Sequence, residues 1–159
     1  MIPEKALKHA PNLLAIALVS IGLTIGVAGA AAAQEGVVTK SISAPFGKVV
    51  TNLKKAITSR KLVIVKQVPY QKMVAMVGVK TGKTIGFEIF HPRYGKVIIA
   101  KDTNALIEVP LRIVLREEGG KVILRYRKPS ATFAPYAGLS GLGKELDAIF
   151  ADIAKRAGK

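Results

Sequence analysis

The side chains available for chemistry in this sequence are few. Cys is absent, so the chain has no disulfide, thiolate metal site, iron–sulfur cluster or cysteine nucleophile. Its two histidines are His9 and His91, and His9 falls inside an N-terminal stretch with the order of an export signal. That leaves one imidazole, His91, and excludes a two-histidine metal site within one chain. A strand predicted over 84–91 puts His91 on the same face as Ile85, Phe87 and Ile89. Pro92 holds residue 91 extended. An imidazole at the rim of an apolar face suits two roles. One is a hydrogen-bonded residue closing the end of a strand. The other is an axial ligand to haem, which needs one imidazole, apolar walls and cations for the propionates. Phe87, Phe90 and Tyr94 are the candidate walls. Met73, Met76 or a second subunit's copy of His91 is the candidate second ligand. A mononuclear metal site on His91 would need ligands shared between subunits.

Two glycine-rich stretches suggest catalysis and fail on count. Gly78-Val79-Lys80-Thr81-Gly82-Lys83-Thr84 has three residues between its glycines, whereas a phosphate-binding P-loop needs four. It is also followed by Ile85-Gly86-Phe87-Glu88-Ile89-Phe90, a strand pattern where the P-loop needs a helix N-terminus. Gly138-Leu139-Ser140-Gly141-Leu142-Gly143 has Leu142 where a nucleophile elbow needs its second glycine. It is expected to be a turn and helix start. With one imidazole and no acidic residue to orient it, an acyl-transfer triad is not expected.

The richest pattern is a hairpin. Leu111, Ile113 and Leu115 alternate with Arg112, Val114 and Arg116. After Glu117-Glu118-Gly119-Gly120, Val122, Leu124 and Tyr126 alternate with Lys121, Ile123, Arg125 and Arg127. The first set of each arm faces the core. The others then share one outer face, where Arg112, Arg116, Lys121, Arg125 and Arg127 surround Val114 and Ile123. Like charges so close repel unless something negative sits among them. The face is either solvated or a contact surface for a ligand, a membrane surface or a second subunit.

These residues sit on a chain of 159 residues with 25 Lys+Arg against 10 Asp+Glu. Lys5 and Lys8 open it, an uncharged run from Ala10 to Gln34 follows, and Ala31-Ala32-Ala33 ends that run. This order is that of a signal peptide over 1–33, with cleavage before Gln34; an uncleaved membrane anchor is the alternative. The remaining domain, 34–159, carries 23 cations and 9 anions, a net +14. Such a charge favours anionic partners and says nothing about fold. Nucleic acid is the usual partner of a basic face, but export to the periplasm or beyond the cell argues against it.

Strands are predicted over 37–43, 62–68, 84–91, 111–116 and 121–127. Helices are predicted over 45–58 and at the C-terminus, where Leu142, Leu146, Ile149, Phe150 and Ile153 form one face. Short helices are predicted near Tyr70–Val77 and Tyr94–Lys101. This set implies an α+β fold, a two-layer sandwich with a five-stranded sheet and helices on one face.

The order of four local motifs resembles the domain of unknown function 302 family. They are Phe90-x-Pro92-x-x-Gly95, Val109-Pro110-Leu111-Arg112-Ile113, Gly120-Lys121-Val122 with Arg125-Tyr126, and Leu139 to Ile153. The resemblance spans Val37 to Ala157. It implies a compact α/β domain, often exported in bacteria and sometimes dimeric, with no agreed catalytic residues. Many members carry a Gly-Asn-Pro-like turn after the third strand. This chain has Phe90-His91-Pro92 there, so the family supplies no role for His91. The expected function is a non-enzymatic exported domain that binds an anionic or amphipathic ligand or a protein, as a homo-oligomer. Haem binding through His91 is the alternative.

Overall fold

Period-2 alternation folds as strands and period-3.6 spacing as helices along nearly the whole domain. The computed structural model describes residues 35–159; the expected export segment, 1–33, lies outside them. The elements run β1 (Val37–Ile42), α1 (Phe46–Ser59), β2 (Val63–Val68), α2 (Tyr70–Ala75), β3 (Thr84–Phe90) and α3 (Pro92–Lys101). After a 3-10 helix (Thr103–Glu108) come β4 (Leu111–Glu118), β5 (Lys121–Arg127), α4 (Pro129–Phe133) and α5 (Ser140–Ala157). The strands form one antiparallel sheet in the order β1-β5-β4-β3-β2. No helix among the described residues is long and apolar enough to cross a membrane.

The hairpin register follows from its turn. Gly119 and Gly120 both have positive φ, +55° and +74°, as a two-residue turn matched to strand twist requires. That turn pairs Glu118 with Lys121, Leu115 with Leu124 and Ile113 with Tyr126. Phe87, Ile113, Leu115, Val122 and Leu124 therefore point to one side, where they pack against α1 and α5. Helix α1 buries Val49, Leu53, Ala56 and Ile57, one stripe at helical spacing. Helix α5 adds Phe150, Ile153, Ala154 and Ala157 to the same core. Lys40 also sits on the inner side of β1, yet its Nζ escapes the core by donating to the Ala154 carbonyl at 3.1 Å in the last turn of α5. A second cluster, Ile98, Phe133, Leu139, Leu142 and Leu146, joins α3 and α4 to the first half of α5.

The fold is the two-layer α+β sandwich, with three features the sequence pattern did not suggest. The 3-10 helix and α4 are extra short elements. Helix α2 lies on the other side of the sheet from α1 and α5. Its Tyr70 ring covers Gly86, where a Cβ would stand 2.8 Å from Tyr70 Cε2, and Gly86 pairs with outward-facing Val114.

Candidate functional site

The outer face of β4 and β5 is left open. Its middle row aligns Thr39, Arg125, Val114 and Gly86 across four strands. The next row places Ile123 beside Arg116. Val114 and Ile123 are half-buried and form an apolar floor with no helix over it. The groove above them is about 780 Å³ and takes in Arg112, Arg116, Arg125 and Arg127. One wall comes from the end of the 3-10 helix and the chain leaving it: Ile107, Glu108 and Pro110. Ile107 is 83% exposed. Tyr70 of α2 covers Gly86, the cross-strand neighbour of Val114, and lines a separate depression.

The cations on this face are partly compensated. Arg112 Nη2 lies 2.9 Å from Glu88 Oε1, its direct cross-strand neighbour. Arg116 pairs with Glu118 on its own strand. Arg127 Nη1 donates to the Glu35 carbonyl at 3.4 Å. Glu108, the acid in the groove wall, accepts a hydrogen bond from Tyr136 Oη at 2.9 Å. That bond, more than burial, raises the Tyr136 pKa above the ordinary tyrosine value. The repulsion expected among five cations is thus relieved by Glu88 and Glu118, and the groove still holds four guanidinium groups around an apolar floor. Lys121, expected on the same patch, borders a different depression with Phe46, Glu117 and Val122.

His91 occupies a separate place. The strand stops at Phe90, and His91, still extended at φ −142°, caps α3. Its Nδ1 accepts the Arg93 N–H at 3.0 Å, and Pro92 holds the first helical position, where a missing N–H costs nothing. The accepting Nδ1 carries no proton, so the ring proton of the neutral imidazole is on Nε2. The ring meets Tyr94 at 5.1 Å between centroids. Tyr94 Oη donates to Glu145 Oε1 at 3.1 Å, and burial, followed by that hydrogen bond, raises the Tyr94 pKa. The space beside these rings is only about 20 Å³, room for one water and far too small for a porphyrin. Phe87 and Met73 do not complete a haem pocket there. Phe87 is sealed in the main core. Met73 is on α2, which follows the β2 end paired to Gly86, and it does not line the space beside His91. No three His, Asp or Glu side chains cluster as metal ligands among the described residues. The geometry accounts for His91 as a helix cap.

The site residues that sequence reasoning missed are those of the wall, Ile107, Glu108 and Pro110. One signal was present. Asp102-Thr103-Asn104 is an Asx turn, with Asp102 Oδ1 accepting from Asn104 N–H at 3.0 Å to start the 3-10 helix.

A single antiparallel sheet, helices mainly on one side and an open basic groove on the other define a small α+β domain. Residues 38–157 match the family model described as Domain of unknown function DUF302, and the chain belongs to that family. A similar solved structure is the crystal structure of an uncharacterized conserved protein DUF302 from Bacillus stearothermophilus. It superposes with a TM-score of 0.72 at 13% identity, covering 77% of this chain and 98% of that one. At that identity the likeness concerns the fold alone. No curated protein matches the chain.

Proposed function

We propose that the domain is an exported, non-enzymatic binding module whose outer sheet face takes an anionic amphipathic ligand. The observation that carries this reading is the open groove with Val114 and Ile123 as its floor and Arg112, Arg116, Arg125 and Arg127 around it. An apolar chain on that floor would cover the two half-buried aliphatic side chains, and its acidic head would meet planar donors suited to carboxylate or phosphate. The Ala31-Ala32-Ala33 end of the apolar run supports export. A homo-oligomer, also proposed, would have to form away from this face, because four guanidinium groups opposed to their own copies repel.

Calorimetric titration with dodecyl phosphate, kept below its micelle concentration, tests the reading, with inorganic phosphate as control. The alkyl phosphate should bind and inorganic phosphate should bind far more weakly. Replacing Val114 by Asp should remove binding, since it places a carboxylate on the apolar floor. Equal binding of both phosphates, or an unaffected Val114→Asp variant, would refute the reading.

A further inference from the structure

Six of the ten large apolar side chains that stand exposed among the described residues fall between Val63 and Val79. Of these six the most exposed are Met76 at 86% and Val77 at 78%. They stand just past the end of α2, and the backbone there is closed on itself. Gly78 N–H donates to the Ala75 carbonyl at 3.0 Å and Val79 N–H to the Val74 carbonyl at 3.1 Å. With Gly78 at φ +80°, this is a Schellman closure, a conformation that favours glycine. Further on, Gly82 sits hard against the Glu117 carbonyl, and Glu117 N–H donates to the Lys83 carbonyl at 2.8 Å. Met73, Met76, Val77 and Val79 therefore project from a segment tied at both ends.

The charge around this tip has one sign. No Asp or Glu occurs between Gly36 and Phe87, while ten Lys and Arg do. Lys72 and Lys80 bracket the tip in sequence and are exposed. Neither forms an ion pair among the described residues. A convex aliphatic tip without an aromatic anchor is a poor match to a protein hot spot, which favours Trp, Tyr and Arg in packed pockets. It matches an anionic bilayer, which offers acyl chains for the methionine and valines and phosphates for the lysines. We propose that this tip docks the domain on an anionic lipid surface, at a place distinct from the sheet groove.

The chain contains no Trp, so Met76→Trp gives a single indole at the tip of the full-length protein. The vesicles would be phosphatidylcholine, alone or mixed with phosphatidylglycerol, with brominated acyl chains. The mixed vesicles should shift the emission to the blue and quench it; the neutral ones should leave it nearly unchanged. Changing both Lys72 and Lys80 to Glu in that background should weaken the response by about tenfold or more. Circular dichroism would confirm that these variants fold. An indole that stays water-exposed while the protein sediments with anionic vesicles would overturn the proposal and give membrane binding to another segment. A lipid-independent blue shift that grows with protein concentration would also overturn it, by showing that a second copy covers the tip. Binding of dodecyl phosphate should be unaffected by the two lysine changes, which separates this idea from the groove reading.

Discussion

At the scale of single residues, the two most conspicuous side chains divide their labour. His91 looked like a ligand because it is the one imidazole outside the N-terminal stretch, but its Nδ1 is occupied by the Arg93 N–H. His91→Ala should lose a helix cap, costing about 0.5–2 kcal/mol, and His91→Asn should recover most of it; urea denaturation compares the two. Equal loss in both would mean that the ring's contact with Tyr94, and not the cap, matters. Arg125 belongs to the open face, opposite Val114. Arg125→Glu should change stability by no more than about 0.5 kcal/mol, as exposed substitutions do, while weakening dodecyl phosphate binding at least tenfold, about 1.4 kcal/mol. Unfolding of that variant would mean Arg125 supports the sheet itself.

At the scale of elements, α4 and α5 approach each other closely. A Cβ at Gly143 would lie 2.7 Å from Ser130 Cα, where backbone rather than a flexible side chain must give way. Gly143→Ala should therefore destabilise by about 1–3 kcal/mol, outweighing the ~1 kcal/mol that alanine adds to a helix; a rise in melting temperature would contradict this. Asp147 crosses the same junction, accepting from Ser130 N–H at 3.0 Å and from Ser130 Oγ at 2.6 Å. These contacts explain what the sequence could not show. Pro129-Ser130-Ala131-Thr132-Phe133 is too short to display a period, and its cap comes from seventeen residues away. The five strands, by contrast, were legible because alternation and the Gly119-Gly120 turn act locally. The hairpin's outward cations were legible too, but Glu88, the partner of Arg112, lies on another strand. Between α1 and α5, Arg60 and Arg156 both reach Asp152. The hydrogen bond from Arg60 is the main cause holding the Asp152 pKa below its ordinary value. A lowered folded pKa stabilises above the unfolded value, ~3.9, and that stabilisation fades as pH falls through the folded one. Asp152→Asn should thus be less stable than wild type at neutral pH, with the gap closing in acid; a gap that widens in acid would contradict the assignment.

At the scale of the molecule, charge is unevenly placed along the chain, with every acid from residue 34 onward other than Glu35 lying at or beyond Glu88. The cationic first half carries the apolar tip, and the mixed second half carries most of the groove. Export is checked by intact mass of protein from the bacterial periplasm, which should lack residues 1–33; retention of Leu13 to Val27 would show an anchor instead. The most direct test of the central claim is an amide chemical-shift titration of the folded domain with dodecyl phosphate. The account predicts that the largest shifts cluster at Val114, Ile123, Arg125 and the Ile107–Val109 stretch of the wall, leaving the α1–α5 surface unmoved. Shifts centred on His91 and Tyr94, or on α1 and α5 with β4 and β5 silent, would contradict it.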